Sequence, residues 1–149
     1  MQKNKPFIMA KPLSELTNLV GQKNIVYKCN RLTAIVPIRK ESGIAKYELK
    51  IVINKAGDFN AFIVNPKIKK HNGQNPPHIY KCSSKWNEEK EEYDELCLCL
   101  YLPGSGEYST KDKIIENIIS WAIKWTEFYE IWLLTGEWYG GGVHPTKAK

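Results

Sequence analysis

Long apolar runs are absent from this 149-residue chain. None approaches the ~20 residues that span a bilayer, so no membrane partner is expected. Residues 1–9 are basic but carry neither an extended apolar region nor a small-residue cleavage site, which argues against secretion. Cysteine is scarce: Cys29, Cys82, Cys97 and Cys99 are the four. That is too few for a disulfide scaffold at this length, and it suits a reducing cytoplasm, the expected location. Histidine is scarcer still, with only His71, His78 and His144, so metal and triad options are few. The chain has no G-x-x-x-x-G-K-S/T loop, and Gly140-Gly-Gly142 neither follows a strand nor opens a helix. A phosphate cradle is therefore not indicated. The G-x-S-x-G elbow and the H-E-x-x-H pair are missing too. No cofactor is expected.

What is present is globular. Apolar residues make up 42% and charged residues 26%, which excludes wholesale disorder. No repeat, linker or low-complexity segment divides the chain, so residues 1–149 read as one domain. The net charge of +6 conceals an asymmetry. Residues 1–70 hold 14 Lys/Arg against 4 Asp/Glu, while residues 71–149 hold 8 against 12. The lysines are scattered, which reads as solvated faces before it reads as a nucleic-acid surface.

Elements follow from patterning. Residues 12–20 suit a short helix, with Pro12 in its first turn and Gly21 as its stop. Three β-rich stretches come next. Ile25 to Ile38 is long and β-branched, interrupted only by Pro37. Lys46 to Asn54 alternates, placing Tyr47, Leu49, Ile51 and Ile53 on one face. Phe59 to Val64 ends at Asn65-Pro66. Glu41-Ser-Gly43 and Lys55-Ala-Gly57-Asp58 supply turn chemistry between them. Residues 65–95 are polar and read as a long surface excursion.

Leu96 to Leu102 alternates again. Leu96, Leu98, Leu100 and Leu102 share the face that suits the core; Cys97, Cys99 and Tyr101 share the other, and so two thiols point away from it. Pro103-Gly-Ser-Gly106 breaks the strand. Ser109 with Asp112 then signals a helix start, and Gly136 its stop. Ile114, Ile118, Trp121, Trp125, Phe128 and Trp132 form its apolar stripe, widened by Ile115, Ile119, Ala122, Tyr129 and Leu133. Core packing is the plain reading of these aromatics. The tail from Trp138 to Pro145 packs closely or is flexible.

Two chemistries compete for the cysteines. His78-x3-Cys82 with Cys97-x-Cys99 offers four zinc-compatible ligands, but C-x-C on a regular strand holds its sulfurs far apart for one tetrahedral ion, so no metal is assigned. The other use is nucleophilic. A thiolate accepts acyl groups as thioesters and needs access plus oxyanion stabilisation. A strand carrying cysteine, with a polar loop before it and an amphipathic helix after it, suits that use.

Those elements, with Leu98-Cys-Leu-Tyr-Leu-Pro103, resemble ubiquitin-conjugating enzymes, whose active cysteine sits in a Cys-Leu-x-Leu stretch after a Pro-rich, His-containing segment. Pro76-Pro-His-Ile-Tyr80 and the block from Ile119-Ser-Trp-Ala-Ile-Lys-Trp125 to Gly140-Gly-Gly-Val-His-Pro145 resemble more closely the bacterial members encoded beside cGAS-like nucleotidyltransferases in CBASS antiphage operons. The likeness covers residues 45–145 and is strongest from 96 to 145.

The resemblance implies an α+β fold of the ubiquitin-conjugating type: an antiparallel β-meander packed on helices, ending in a long amphipathic helix. It implies a catalytic cysteine that takes the C-terminal glycine of a cognate cGAS-like nucleotidyltransferase, priming antiviral signalling. Cys99 is the nucleophile on the match through Pro103, with Cys97 the alternative, since both fit Cys-Leu-x-Leu. His78 is the accompanying residue, either shaping the loop through its backbone or aiding the chemistry. Tyr108 stands where the family often has an aromatic. Eukaryotic members carry His-Pro-Asn, whereas His78 is followed by Ile79 and Tyr80. Thioester formation is thus implied more strongly than aminolysis by lysine. Activation of the carboxylate is expected to come from elsewhere, because an adenylating domain does not fit in 149 residues and these carry no nucleotide motif. A binding-only adaptor of the same partner, and then a basic nucleic-acid-binding module, are the alternatives.

Overall fold

A computed structural model describes residues 8–39, 46–100 and 114–140. The expected Glu41-Ser-Gly43 turn, the stretch from Tyr101 through Tyr108 to the Ser109/Asp112 helix start, and the tail beyond Gly140 lie outside the described residues.

The first helix, α1 (Ala10–Val20), buries Pro12 and Leu16. It stops where Gly21 takes φ 82° and returns its N–H to the Thr17 carbonyl, a conformation that a side chain would oppose. The stretch expected as one run from Ile25 to Ile38 is two strands, β1 (Ile25–Lys28) and β2 (Arg31–Arg39). Cys29 and Asn30 form the turn between them, both at positive φ (54° and 60°), as a two-residue type I′ hairpin requires. Pro37 sits in β2 opposite Glu48, beyond Ala34, the last β2 residue that β1 pairs. A missing N–H is tolerated there.

Two further strands, β3 (Lys46–Asn54) and β4 (Phe59–Asn65), complete a meander. Their turn is held by Asn54, whose Oδ1 accepts the N–H groups of Ala56 and Asp58 at 3.0 Å each. The excursion expected over residues 65–95 is only partly loop. It contains β5 (Lys85–Asn87) and most of β6 (Glu92–Cys97), a hairpin with Trp86 edge-on to Tyr93 at 4.7 Å. Acidic composition hid this pair, since only Trp86, Tyr93 and Leu96 mark it as β. The described strands form one antiparallel sheet in the order β1-β2-β3-β4-β6-β5.

Register builds the core. Leu32, Ala34, Val36 and Ile38 stand opposite Ile53, Ile51, Leu49 and Tyr47, and Ile51 and Leu49 stand opposite Ala61 and Ile63. Residues directly opposite share a face, so these side chains make one continuous buried surface. Leu16 of α1 and the second helix, α2 (Ile114–Thr135), complete the same core. Burial in α2 runs along Ile115, Ile118, Ala122, Trp125, Tyr129 and Trp132, steps of three and four. Trp121 and Phe128, expected in the stripe, are only half-buried. The small Ala122 lets the helix approach along the neighbouring line instead. The Tyr47 hydroxyl donates to Glu130 Oε2 at 2.7 Å, tying β3 to α2. Burial, then that carboxylate, hold the phenol far above its usual range.

At Gly136, φ is 78° and the N–H returns to Trp132 at 2.8 Å, closing α2. The chain folds back so that Trp138 packs on Trp125 and Phe128, with centroids 5.6 and 5.9 Å away. A β-carbon at Gly140 would lie 2.7 Å from Phe128 and Trp138 atoms, so only glycine fits. Among the described residues, no helix is long and apolar enough to cross a membrane.

Candidate functional site around Cys99

The two candidate cysteines start from the same strand and end in different surroundings. Phe62 stands opposite Cys97 and Ile63 opposite Leu96, so Leu96 faces the core and Cys97 the other side of the sheet. Both thiols were expected to point to that side, away from the leucine face. Cys97 is nonetheless fully buried, and residues 80–84 lie along its backbone. Its N–H donates to Ser84 Oγ at 2.8 Å, and its carbonyl accepts the Tyr80 N–H at 2.9 Å. Its Sγ lies 3.8 Å from Asn60 Oδ1, within reach of a thiol hydrogen bond.

Regular strand ends at Cys97 rather than continuing to Leu102 within the described part. Leu98 still reaches the core, and its N–H donates to the Ala61 carbonyl at 2.8 Å. On the opposite edge Ile79 bridges Leu98, with the Cys99 N–H donating to the His78 carbonyl at 2.9 Å. The segment is therefore held from both sides, and Cys99 emerges from it half-exposed.

His78 is where the loop is fixed. It is a buried residue at φ 55°, outside the range that β-carbons favour. Its carbonyl accepts two hydrogen bonds, from the Cys99 amide and from the Trp125 indole Nε1–H at 3.1 Å. Its ring lies 5.6 Å from that of Trp138. The His78 backbone thus links the loop to both the cysteine segment and α2. The preceding residues are tied down as well: Asn75 Oδ1 accepts the Tyr93 hydroxyl at 2.5 Å. Burial raises that phenol above its ordinary range.

The remaining cysteines stand apart. Cys29 is exposed at the β1–β2 turn, and Cys82 is exposed in the helical turn Lys81–Ser83. Among the described residues no three or more His, Cys, Asp or Glu side chains converge on a metal position. His71 packs edge-on against Trp132 at 5.5 Å. Charge nearby is organised by Glu95 on β6, which meets Lys50 Nζ at 2.6 Å and Lys85 Nζ at 3.5 Å. Burial raises its carboxyl, but the hydrogen bond and charge of Lys50, then of Lys85, hold it below the ordinary range. Lys50 also lies 5.0 Å over the Phe62 ring.

Sequence reasoning missed Trp125 as a partner of His78, as well as Ser84 and Asn60 beside Cys97. Periodicity marked Trp125 as core, and no local pattern shows where an indole N–H will point. Ser84 and Asn60 carry no spacing signal at all.

Taken together, an antiparallel sheet backed by a long helix, with a half-buried cysteine just beyond the end of β6, defines an α+β domain. The model of the Type II CBASS E2 protein family matches residues 13–145, and the chain belongs to that family. It is thereby a ubiquitin-conjugating-like protein of bacterial antiviral defence. No curated protein matches it.

Proposed function

We propose that the protein is a ubiquitin-conjugating-like transferase, with the ubiquitin-conjugating fold, whose Cys99 takes the C-terminal glycine of a cognate cGAS-like nucleotidyltransferase. The contrast within one strand supports this most: Cys97 is sealed and Cys99 is half-open on a backbone held from both sides. A nucleophile needs both access and a fixed position.

In the proposed step the Cys99 thiolate attacks the carbonyl carbon of a glycine already activated elsewhere as an acyl adenylate or a thioester. The S–C bond forms and the bond to the leaving group breaks. The thiol proton passes to solvent, and the leaving group departs with its electron pair. The product is a thioester between Cys99 and the partner's tail. Transfer onwards to lysine has less support. His78 is followed by Ile79, not by Pro-Asn, so the asparagine of the eukaryotic motif is missing from this position.

Co-expression with the partner, followed by reducing and non-reducing gels, tests this reading. Oxyesters resist amines better than thioesters, so Cys99→Ser is expected to accumulate a reduction-resistant adduct. Cys97→Ser is expected to behave as the wild type. An adduct that survives Cys99→Ala and is lost in Cys97→Ala would move the nucleophile two residues back. Co-purification with no adduct in any variant would make the protein an adaptor.

A further inference from the structure

At the His78 carbonyl three parts of the chain meet: the loop before the cysteine, the cysteine segment itself and α2. His78 holds φ 55°, which its β-carbon disfavours, and such a conformation persists only where the surroundings over-determine it. The surroundings here are two donors on its carbonyl and the Trp138 ring beside its imidazole. One donor belongs to Cys99 and moves with it. The other, the Trp125 indole, is anchored: it is buried in α2 and stacked on Tyr129 with centroids 5.1 Å apart and planes 12° from parallel. Without that N–H the loop loses its hydrogen bond from Trp125 to the His78 carbonyl, and the His71–Trp132 ring contact remains. His78 is then free to relax toward negative φ, carrying its carbonyl away from the Cys99 amide.

We propose that Trp125 is a positioning residue for Cys99, its indole N–H holding the His78 carbonyl against the Cys99 amide and so setting where the thiol stands. This rests on the reading of Cys99 as the nucleophile, and the test separates the two. Trp125→Phe keeps an aromatic ring and removes the donor. Ile118→Val, a buried change elsewhere on α2, is the control for general loosening. Three quantities are read: amide hydrogen exchange at Cys99 and Leu98, the pH profile of Cys99 alkylation by iodoacetamide resolved by peptide mass spectrometry, and the rate of adduct formation with the partner.

In Trp125→Phe the Cys99 amide is expected to exchange about tenfold faster, the scale of one lost hydrogen bond. The Leu98 amide, held by Ala61, is expected to keep its rate. The alkylation profile shifts and adduct formation slows by a similar factor, while Ile118→Val changes none of these. Unchanged exchange and alkylation at Cys99, or equal changes in Ile118→Val, would overturn the proposal. So would a faster amide with an unaltered adduct rate. If the wild type forms no adduct, the nucleophile reading fails on its own, and exchange and alkylation still decide whether Trp125 holds the segment.

Discussion

Two thiols separated by one residue show how much of reactivity is environment. Cys97 and Cys99 flank Leu98, yet the first is fully buried and the second half-open. Native-state labelling with a thiol probe is therefore expected to mark Cys29 and Cys82 fastest, Cys99 measurably and Cys97 last. Cys97 reacting as fast as Cys99 would contradict the register of β6. Glu95 carries a second residue-scale prediction. Its carboxyl is held below its ordinary value in the fold, so its contribution to stability is full above the unfolded value of about 4.5. That contribution is lost as pH falls further, through the depressed folded value. Glu95→Gln is expected to cost about 1 kcal/mol at neutral pH and less at pH 3. Denaturant titrations at the two pH values measure this; equal losses at both would show that the Lys50 ion pair is not the cause.

At the scale of elements, α2 holds the loop, the core and the returning tail together. Trp125→Ala is expected to destabilise by about 3–5 kcal/mol, since it removes a buried indole and a hydrogen bond to the loop. Near-unchanged thermal stability would instead place the side chain outside the core. Gly136→Ala is expected to cost about 1 kcal/mol, because φ 78° is disfavoured by a β-carbon while nothing lies within 4 Å of it. Elements with one strong period were legible in advance. Tyr47, Leu49, Ile51 and Ile53 predicted β3 to its ends, and Gly21 marked the end of α1, which starts at Ala10, two residues before the expected start. The split at Cys29-Asn30 was not, because β-branched residues continue on both sides and Cys is an unusual residue at positive φ. The β5–β6 hairpin was masked by exposed acids whose only β signal was an aromatic pair. In α2 apolar residues occupy so much of the girth that the helix and most of its buried line were evident, and only Trp121 and Phe128 of the expected stripe are half-buried.

For the whole molecule, the candidate site was legible as a sequence neighbourhood and not as a geometry. Cys99, Cys97 and His78 were picked out by the resemblance of their segments to the bacterial ubiquitin-conjugating-like proteins. That a tryptophan more than 20 residues downstream holds the His78 carbonyl is a consequence of the α2 packing, which no local pattern encodes. The chain belongs to the Type II CBASS E2 protein family, and its described residues form an α+β domain whose sheet outweighs its helices. The central claim, that Cys99 carries an acyl group from a partner's C-terminal glycine, is tested most directly by intact and peptide-level mass spectrometry. The protein is co-expressed with the nucleotidyltransferase and purified without reductant. A species equal to the two chains less one water, joined at Cys99 and released by hydroxylamine, is the predicted result. Free chains only, or a linkage mapped to Cys97, would contradict it.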